Sequence, residues 1–253
     1  MRRWVVAGAA ALVVVVGVGI WLAVRDNGPS EPSAFLSPCG TVVRPPDASA
    51  APTQRVMLIG DSIMAQSSCE VAGQLAKAGI ETHIHPVPGT GLLTGWTNWD
   101  KELPGLLDSV HPNSVLAEFV GNYPPPPLLD DQGQPIARDS EEWFALWQQR
   151  ATTLSRIVRD HGAKLVWVQA PPMDDGGRAA RLFAGFSQLG DPTLPSGAAL
   201  GGPAGQWIPS CGDGPPLRTA DTIHLTQIGA SLYGDTIARD FLSQAPAPTP
   251  CAR

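Results

Sequence analysis

Basic residues are scarce in this sequence of 253 residues, where 17 lysines and arginines stand against 23 aspartates and glutamates. The formal net charge is −6, and no segment concentrates lysine and arginine as a nucleic-acid-binding surface does. Cysteine is limited to four residues, none of them in the Cys-x-x-Cys spacing of structural zinc sites. We therefore expect no nucleic-acid partner and no metal.

A long apolar run stands at the N terminus. Trp4 to Val24 comprises 21 residues without a charge, and a helix of that length spans roughly 30 Å, the thickness of a bilayer core. Arg2 and Arg3 precede it, and positive flanks stay in the cytoplasm. A cleaved signal peptide is the alternative, although its apolar region normally has about 7–15 residues. We expect residues 1–24 to be a single-pass transmembrane signal anchor that leaves the rest of the chain extracytoplasmic, or secreted if the segment is cleaved.

The remainder of the chain divides by composition. Residues 25–54 contain six prolines and indicate a stalk. A globular domain is predicted over 55–245, followed by a tail at 246–253. Without Arg2, Arg3 and Arg25, 14 basic side chains remain against 23 acidic ones, a net charge of −9, which favours solubility.

Four cysteines in an exported chain predict two disulfides, for which three pairings are possible. Cys39 and Cys251 both lie in proline-rich terminal segments, whereas Cys69 and Cys211 lie near segments assigned below to the site. We therefore expect the pairs Cys39–Cys251 and Cys69–Cys211.

Short apolar strands alternate with amphipathic helices from residue 55 onward. The predicted strands are 55–60, 82–87, 114–120 and 164–169, and the predicted helices are 62–78, 99–110, 141–161, 178–189 and 226–243. Such alternation predicts a mostly parallel sheet with helices on both faces. Ligands of these sheets bind beyond the carboxyl ends of the strands. Ser62, Gly89 and Asn122 each follow a strand end, so we expect them at one edge.

Ser62 lies where a buried strand ends and a helix begins, in the run Gly60-Asp61-Ser62-Ile63. A helix N terminus has backbone N–H groups without intrahelical partners and a partial positive charge. A hydroxyl held there can attack a carbonyl, and the resulting oxyanion forms beside those donors. The alternative is that Ser62 only caps the helix and Asp61 only forms the turn.

A serine nucleophile needs a base and a group that orients the base. His224 is the candidate base, because Asp221 lies three residues earlier and can accept its Nδ1 hydrogen bond, leaving Nε2 for the serine. His111 and His161 lie near predicted helix ends, where histidine is a common C-terminal cap. The alternative for Asp221-x-x-His224 is likewise a cap at a helix start.

These motifs, in this order, resemble the four blocks of the SGNH (GDSL-type) hydrolase superfamily. The matching runs are Gly60-Asp61-Ser62-Ile63, Gly89, Gly121-Asn122 and Asp221-x-x-His224-Leu225-Thr226, within residues 55–243. The resemblance implies a flavodoxin-like three-layer α/β/α sandwich with a mostly parallel sheet. The third block departs from the usual Gly-x-Asn-Asp, because Asn122 directly follows Gly121 and precedes Tyr123.

The resemblance also implies roles for single residues. Ser62 would be the nucleophile, His224 the base and Asp221 the acid that orients it. The oxyanion hole would consist of the Ser62 N–H, the Gly89 N–H and the Asn122 amide, with Gly91 as the alternate to Gly89.

We accordingly expect an extracytoplasmic serine esterase that hydrolyses short-chain O-acyl esters on envelope glycans or glycolipids, through an acyl-Ser62 intermediate. One alternative is an O-acyltransferase with the same acyl-serine, and another is a non-catalytic envelope binding protein. We expect a monomer without a cofactor. Trp96 and Trp99 follow Gly89 and are candidates for stacking on a sugar, although tryptophan more often belongs to the core.

Overall fold

The computed structural model describes residues 39–47, 54–93, 97–122, 128–130, 132–202, 205–243 and 251. The chain divides into two compact units, 1–34 and 35–253, and every described residue belongs to the second. The predicted anchor at 1–24 and the candidate Trp96 lie outside the described residues. Among the helices of the described segments, none is both long and apolar enough to cross a membrane.

A six-stranded sheet forms the centre of the second unit. Its strands are β1 (Val42–Val43), β2 (Gln54–Gly60), β3 (Ile80–Ile84), β4 (Ser114–Glu118), β5 (Lys164–Val168) and β6 (Thr193–Leu194). They are arranged in the order β1-β3-β2-β4-β5-β6. Strands β2 to β6 are parallel, and β1 alone pairs antiparallel, with β3. The parallel strands have the flavodoxin-like order, so the predicted fold class is confirmed.

Helices cover both faces of this sheet. They are α1 (Ser62–Lys77), α2 (Trp99–Val110), α3 (Glu141–Asp160), α4 (Arg178–Phe186) and α5 (Gln227–Ser243). Side chains along β2 alternate between the faces, as a strand requires. Val56 and Leu58 pack into a core with α1 and α5, whereas Met57 and Ile59 pack with α2 and α3. Two cores on either side of one sheet give the three layers.

Tryptophans fill much of the core between the sheet and α3. Trp143, Trp147 and Trp167 have no exposed surface. Trp99 is 4% exposed and meets Phe119 edge to face, with 5.9 Å between the ring centroids. Trp99 is therefore a core residue and offers no surface on which a sugar could stack.

The disulfide pairing differs from the expected one. Cys39 is bonded to Cys69, and Cys211 to Cys251, so the expected pairs Cys39–Cys251 and Cys69–Cys211 are wrong. The reason lies in β1, because Val42–Val43 forms an edge strand where a stalk was predicted. This strand brings Cys39 to the core that α1 covers, next to Cys69.

Segment 171–220, irregular by its pattern, contributes to both the sheet and the helical layers. It contains α4, the edge strand β6 and two short 3₁₀ helices at Ser187–Leu189 and Ser196–Leu200. β6 pairs with β5 through Thr193 opposite Trp167 and Leu194 opposite Val168. The segment is therefore built onto the sheet at its β5 side.

Contact between α1 and α5 predicts opposite effects for two glycine substitutions. A Cβ at Gly234 would lie 2.7 Å from both Glu70 Cβ and the Ser67 carbonyl oxygen, whereas a Cβ at Gly73 would meet nothing within 4 Å. We expect Gly234→Ala to lower the free energy of unfolding by about 1–3 kcal/mol, because the helices must separate. Gly73→Ala should raise it by about 0.5–1 kcal/mol, since alanine favours a helix.

Denaturant unfolding of the two variants measures this difference. The contact is contradicted if Gly234→Ala is as stable as Gly73→Ala.

Candidate active site

Ser62 is the first residue of α1 and follows β2 through a tight turn at Gly60 and Asp61. Gly60 has a φ of 151°, and a Cβ there would lie 2.3 Å from the carbonyl oxygen of Glu118 in the neighbouring strand β4. Only glycine allows this turn. Asp61, not Ser62, caps α1, because its Oδ1 accepts a hydrogen bond from the Ile63 N–H at 3.0 Å. The Ser62 hydroxyl is therefore not used as the helix cap.

Hydrogen bonds join Ser62, His224 and Asp221 in one chain. Ser62 Oγ lies 3.0 Å from His224 Nε2, and His224 Nδ1 lies 2.5 Å from Asp221 Oδ2. The three side chains meet although 162 residues separate Ser62 from His224. Each contact is the one that a serine, a base and an orienting acid require.

Asp221 is held by a dense set of donors. Its Oδ1 accepts hydrogen bonds from the backbone N–H groups of Ile223 and His224 and from the hydroxyl of Thr219. Partial burial opposes ionisation, but the hydrogen bonds from His224 and these donors prevail and hold the pKa of Asp221 well below its usual range. Asp221 is therefore an anion at any pH near neutrality.

Two further side chains fix the segment that carries Asp221 and His224. Gln66 of α1 accepts a hydrogen bond from the Leu225 N–H and donates one to the Leu225 carbonyl, both at 3.0 Å. Arg218 donates to the carbonyls of Ile223 at 3.0 Å and Pro172 at 2.6 Å. No motif pointed to either residue, although Gln66 lies four residues after Ser62, on the same face of α1.

Asn122 lies between the turn before α1 and the loop after β3. Its side-chain amide donates to the Thr90 carbonyl at 2.9 Å and to Asp61 Oδ2 at 3.3 Å. In the loop, Gly89 is exposed with a φ of 77°, whereas Gly91 is buried, and a Cβ there would lie 2.6 Å from the Asn122 carbonyl oxygen. The predicted oxyanion donors thus lie on neighbouring elements, and the choice between Gly89 and Gly91 stays a prediction.

Two buried carboxyl groups lie behind Ser62. Asp61 is 0% exposed, and its Oδ2 also accepts the Val120 N–H at 2.8 Å. Burial raises the pKa of Asp61 to about 6, against the lowering by its backbone hydrogen bonds. Glu118 is also 0% exposed, and neither of its carboxyl oxygens has a hydrogen-bond partner within the described segments.

Glu118 therefore holds the proton of this pair. Burial, together with the charge of Asp61, raises the pKa of Glu118 well above its ordinary value. Asp61, which accepts two backbone N–H groups, ionises first, whereas burial outweighs the weak influence of the Met64 N–H and keeps Glu118 neutral. The sequence does give a signal for Glu118, because it is a charged residue that directly follows the apolar run Val115–Ala117 of a predicted buried strand.

Comparisons with known proteins bear on the fold. A family model described as "Protein of unknown function (DUF459)" matches residues 55–240. The native aryl esterase of M. smegmatis is 15% identical, with a TM-score of 0.53, over 76% of this chain and 100% of that one. Among curated proteins, none matches the sequence.

Two further solved structures are similar. A Slackia heliotrinireducens protein assigned to the SGNH hydrolases is 17% identical, with a TM-score of 0.52, over 74% of this chain and 98% of that one. A catalytic mutant of Axe2, an acetylxylan esterase from Geobacillus stearothermophilus, is 14% identical, with a TM-score of 0.53, over 79% of this chain and 97% of that one. At these identities the likeness shows the fold.

Burial of Asp61 predicts a pH dependence of stability. Its pKa is higher in the folded protein, about 6, than the ordinary value of 3.8. Between those values the folded state binds more protons than the unfolded state, so this contribution to stability falls as the pH rises from 4 to 6. Asp61→Asn removes it, and the unfolding free energy of the wild type minus that of the variant should fall by about 2 kcal/mol across this range.

Denaturant unfolding of both proteins at several pH values between 4 and 7 measures that difference. A difference that stays constant or increases with pH would show that burial does not control the Asp61 carboxyl.

Proposed function

Since the chain belongs to the family described as protein of unknown function (DUF459) and has the fold of the SGNH hydrolases, we propose that it is a serine esterase acting on O-acyl esters. The observation that carries the proposal is the hydrogen-bonded chain from Ser62 through His224 to Asp221. An N-cap role would not account for Ser62, because Asp61 already caps α1.

Catalysis by this arrangement follows from its geometry. His224 Nε2 takes the proton of Ser62 as Oγ attacks the ester carbonyl, while ionised Asp221 holds the Nδ1 proton and stabilises the imidazolium. The tetrahedral intermediate collapses to acyl-Ser62, and the leaving alcohol takes the proton from His224. Water, deprotonated by His224, then attacks the acyl group and restores Ser62.

The oxyanion forms at the N terminus of α1 and is stabilised by the Ser62 N–H, by the Gly89 or Gly91 N–H and by Asn122. The amide of Asn122 already points at Asp61 Oδ2 over the longer of its two hydrogen bonds, 3.3 Å. Exchange of that bond for one to the oxyanion would leave the bond to Thr90 intact. Asn122 thus remains positioned throughout the reaction.

Short acyl groups on envelope glycans or glycolipids are the proposed substrates. Similar structures include an acetylxylan esterase and an aryl esterase, which supports a small acyl group on a varied alcohol. Two disulfides suit an oxidising compartment, and a membrane anchor at residues 1–24 would hold the domain outside the cytoplasm. Transfer of the acyl group to a sugar hydroxyl would proceed through the same acyl-serine, and product analysis with an added acceptor separates the two reactions.

Hydrolysis of 4-nitrophenyl esters of graded chain length by the full chain tests the proposal. We expect rates that fall from acetate to longer acyl groups, and Ser62→Ala should lower kcat by roughly 10⁴ or more, since the nucleophile is lost. Ser67→Ala is the matched control, because this buried serine of α1 donates only to the Ile63 carbonyl.

The control should keep its activity. Equal rates for the wild type and Ser62→Ala, or failure of the wild type to react with a fluorophosphonate, would contradict a serine esterase.

Asn122→Ala tests the oxyanion hole. Loss of one donor to the oxyanion should lower kcat by about 10²–10³ with little change in KM, because the contact strengthens in the transition state. Kinetics on 4-nitrophenyl acetate measure this, and circular dichroism checks that the fold is kept. An unchanged kcat would remove Asn122 from the oxyanion hole.

A further inference from the structure

A cavity of about 500 Å³ lies beyond the carboxyl end of β5, at the sheet edge where Ser62 and Asn122 also lie. Its wall includes Gln169, which follows β5, the segment from Pro172 to Gly177 and the side chain of Trp207. Sites for small organic ligands have volumes of about 300–1,000 Å³, so the cavity is large enough for a ligand. None of the residues that line it has a role in the chemistry proposed at Ser62.

Two hydrogen bonds fasten the walls of this cavity to the segment that carries the base. Trp207 Nε1 donates to the carbonyl of Thr222 at 3.0 Å, one residue after Asp221. Arg218 joins the Pro172 carbonyl to the Ile223 carbonyl, one residue before His224. A ligand in the cavity would therefore border the candidate active site.

Trp207 differs from the other tryptophans that the structure describes. Trp99, Trp143, Trp147 and Trp167 are at most 4% exposed, whereas Trp207 is partly exposed and lines the cavity. A partly exposed indole ring has a flat apolar face and suits a ligand with a similar face. The C–H face of a sugar ring is such a surface.

The charges at the cavity favour a neutral ligand over an anionic one. Among the described residues, its lining contains the carboxylates of Asp174 and Asp175 but no lysine, arginine or histidine; Arg178, which lies 4.0 Å from Asp175, is held by Asp139. Asp175 accepts hydrogen bonds from the N–H groups of Gly177 and Ala179, so it already occupies the N terminus of α4. A phosphate or a uronate would meet the exposed carboxylate of Asp174, which forms no ion pair within the described segments, whereas the charge of Asp175 is partly offset by Arg178.

Hydroxyl groups would find acceptors there. The Asp174 carboxylate is exposed and forms no hydrogen bond or ion pair within the described segments. Gln169 lines the cavity, but its side-chain oxygen is buried and faces away from the open space, so the exposed Asp174 carboxylate is the acceptor that a ligand can reach. Carboxylate and amide oxygens accept hydrogen bonds from sugar hydroxyls.

We infer that this cavity binds the neutral sugar that bears the ester, with Trp207 as the stacking surface and Asp174 as the acceptor of hydrogen bonds from its hydroxyl groups. The inference rests on the proposed function, because it assigns the cavity to the alcohol part of the ester cleaved at Ser62. It goes further in naming the side of the site that holds the sugar and in favouring neutral glycans over acidic ones.

Kinetics with three esters test the inference on the full chain. The substrates are 4-nitrophenyl acetate, acetylated xylo-oligosaccharides, which are neutral, and acetylated oligogalacturonides, which are anionic. Trp207→Ala should raise KM for the neutral oligosaccharide about fivefold or more above that of Trp207→Phe, whereas the two variants, which both lose the Nε1 hydrogen bond to Thr222, should hydrolyse 4-nitrophenyl acetate at equal rates. Trp207→Phe should retain most of the affinity, since it keeps an aromatic face.

Charge reversal gives an independent test. The wild type should prefer the neutral oligosaccharide, and Asp174→Lys should shift the preference toward the anionic one about fivefold or more, since an ammonium replaces a carboxylate at an exposed position. Leu129→Ala is the control, because Leu129 is 59% exposed and does not line the cavity. It should behave as the wild type with all three substrates.

The outcomes separate failure of this inference from failure of the proposed function. Equal losses of activity by Trp207→Ala on all three substrates would show that Trp207 only supports the Asp221 segment. No loss of activity on any substrate would show that the cavity is not a sugar site. Either result overturns the inference but leaves the esterase proposal standing. If the wild type hydrolyses none of the esters and does not react with a fluorophosphonate, the esterase proposal fails. Calorimetric titration with unacetylated xylohexaose then decides the cavity: binding that Trp207→Ala abolishes supports it, and absence of binding overturns it.

Discussion

The buried carboxylate of Asp61 is the interaction on which the site depends. It binds the Ile63 N–H at the start of α1, the Val120 N–H beyond β4 and the amide of Asn122. One side chain thereby fixes the helix that carries Ser62 against the neighbouring strand and the proposed oxyanion donor. The cost is desolvation of a charge, which the protein limits by keeping Glu118, the second buried carboxyl, protonated.

Much of the fold could be predicted from the sequence, because long apolar and amphipathic segments have clear periodicities. The strand starting at Lys164 and the helix from Trp99 to Val110 were expected with the starts that the structure gives. The edge strands Val42–Val43 and Thr193–Leu194 were not expected, since two residues cannot show a period and their pairing depends on the neighbouring strand. Because the edge strand Val42–Val43 was not expected, the position of Cys39 next to Cys69 was not expected either, and the predicted disulfide pairs were wrong.

Residues of the site were predictable where local sequence determines them. Asp221 and His224 lie three positions apart in a turn, so their hydrogen bond is a local property. The meeting of His224 with Ser62 was expected from the resemblance, which names the two residues as base and nucleophile. The protonated state of Glu118 and the hydrogen bonds of Gln66 depend on which strands and helices become neighbours. The periodicity of the sequence does not show which elements are neighbours.

The paired hydrogen bonds between Gln66 and Leu225 have a mechanical consequence. A glutamine amide reproduces the donor and acceptor of a peptide group, so α1 is joined to the start of α5 much as one strand is joined to the next. Ser62 lies one helical turn before this junction and His224 one residue before it. Thermal displacement of α1 would therefore carry Ser62 and His224 together, and the distance between them would be less sensitive to motion than the position of either.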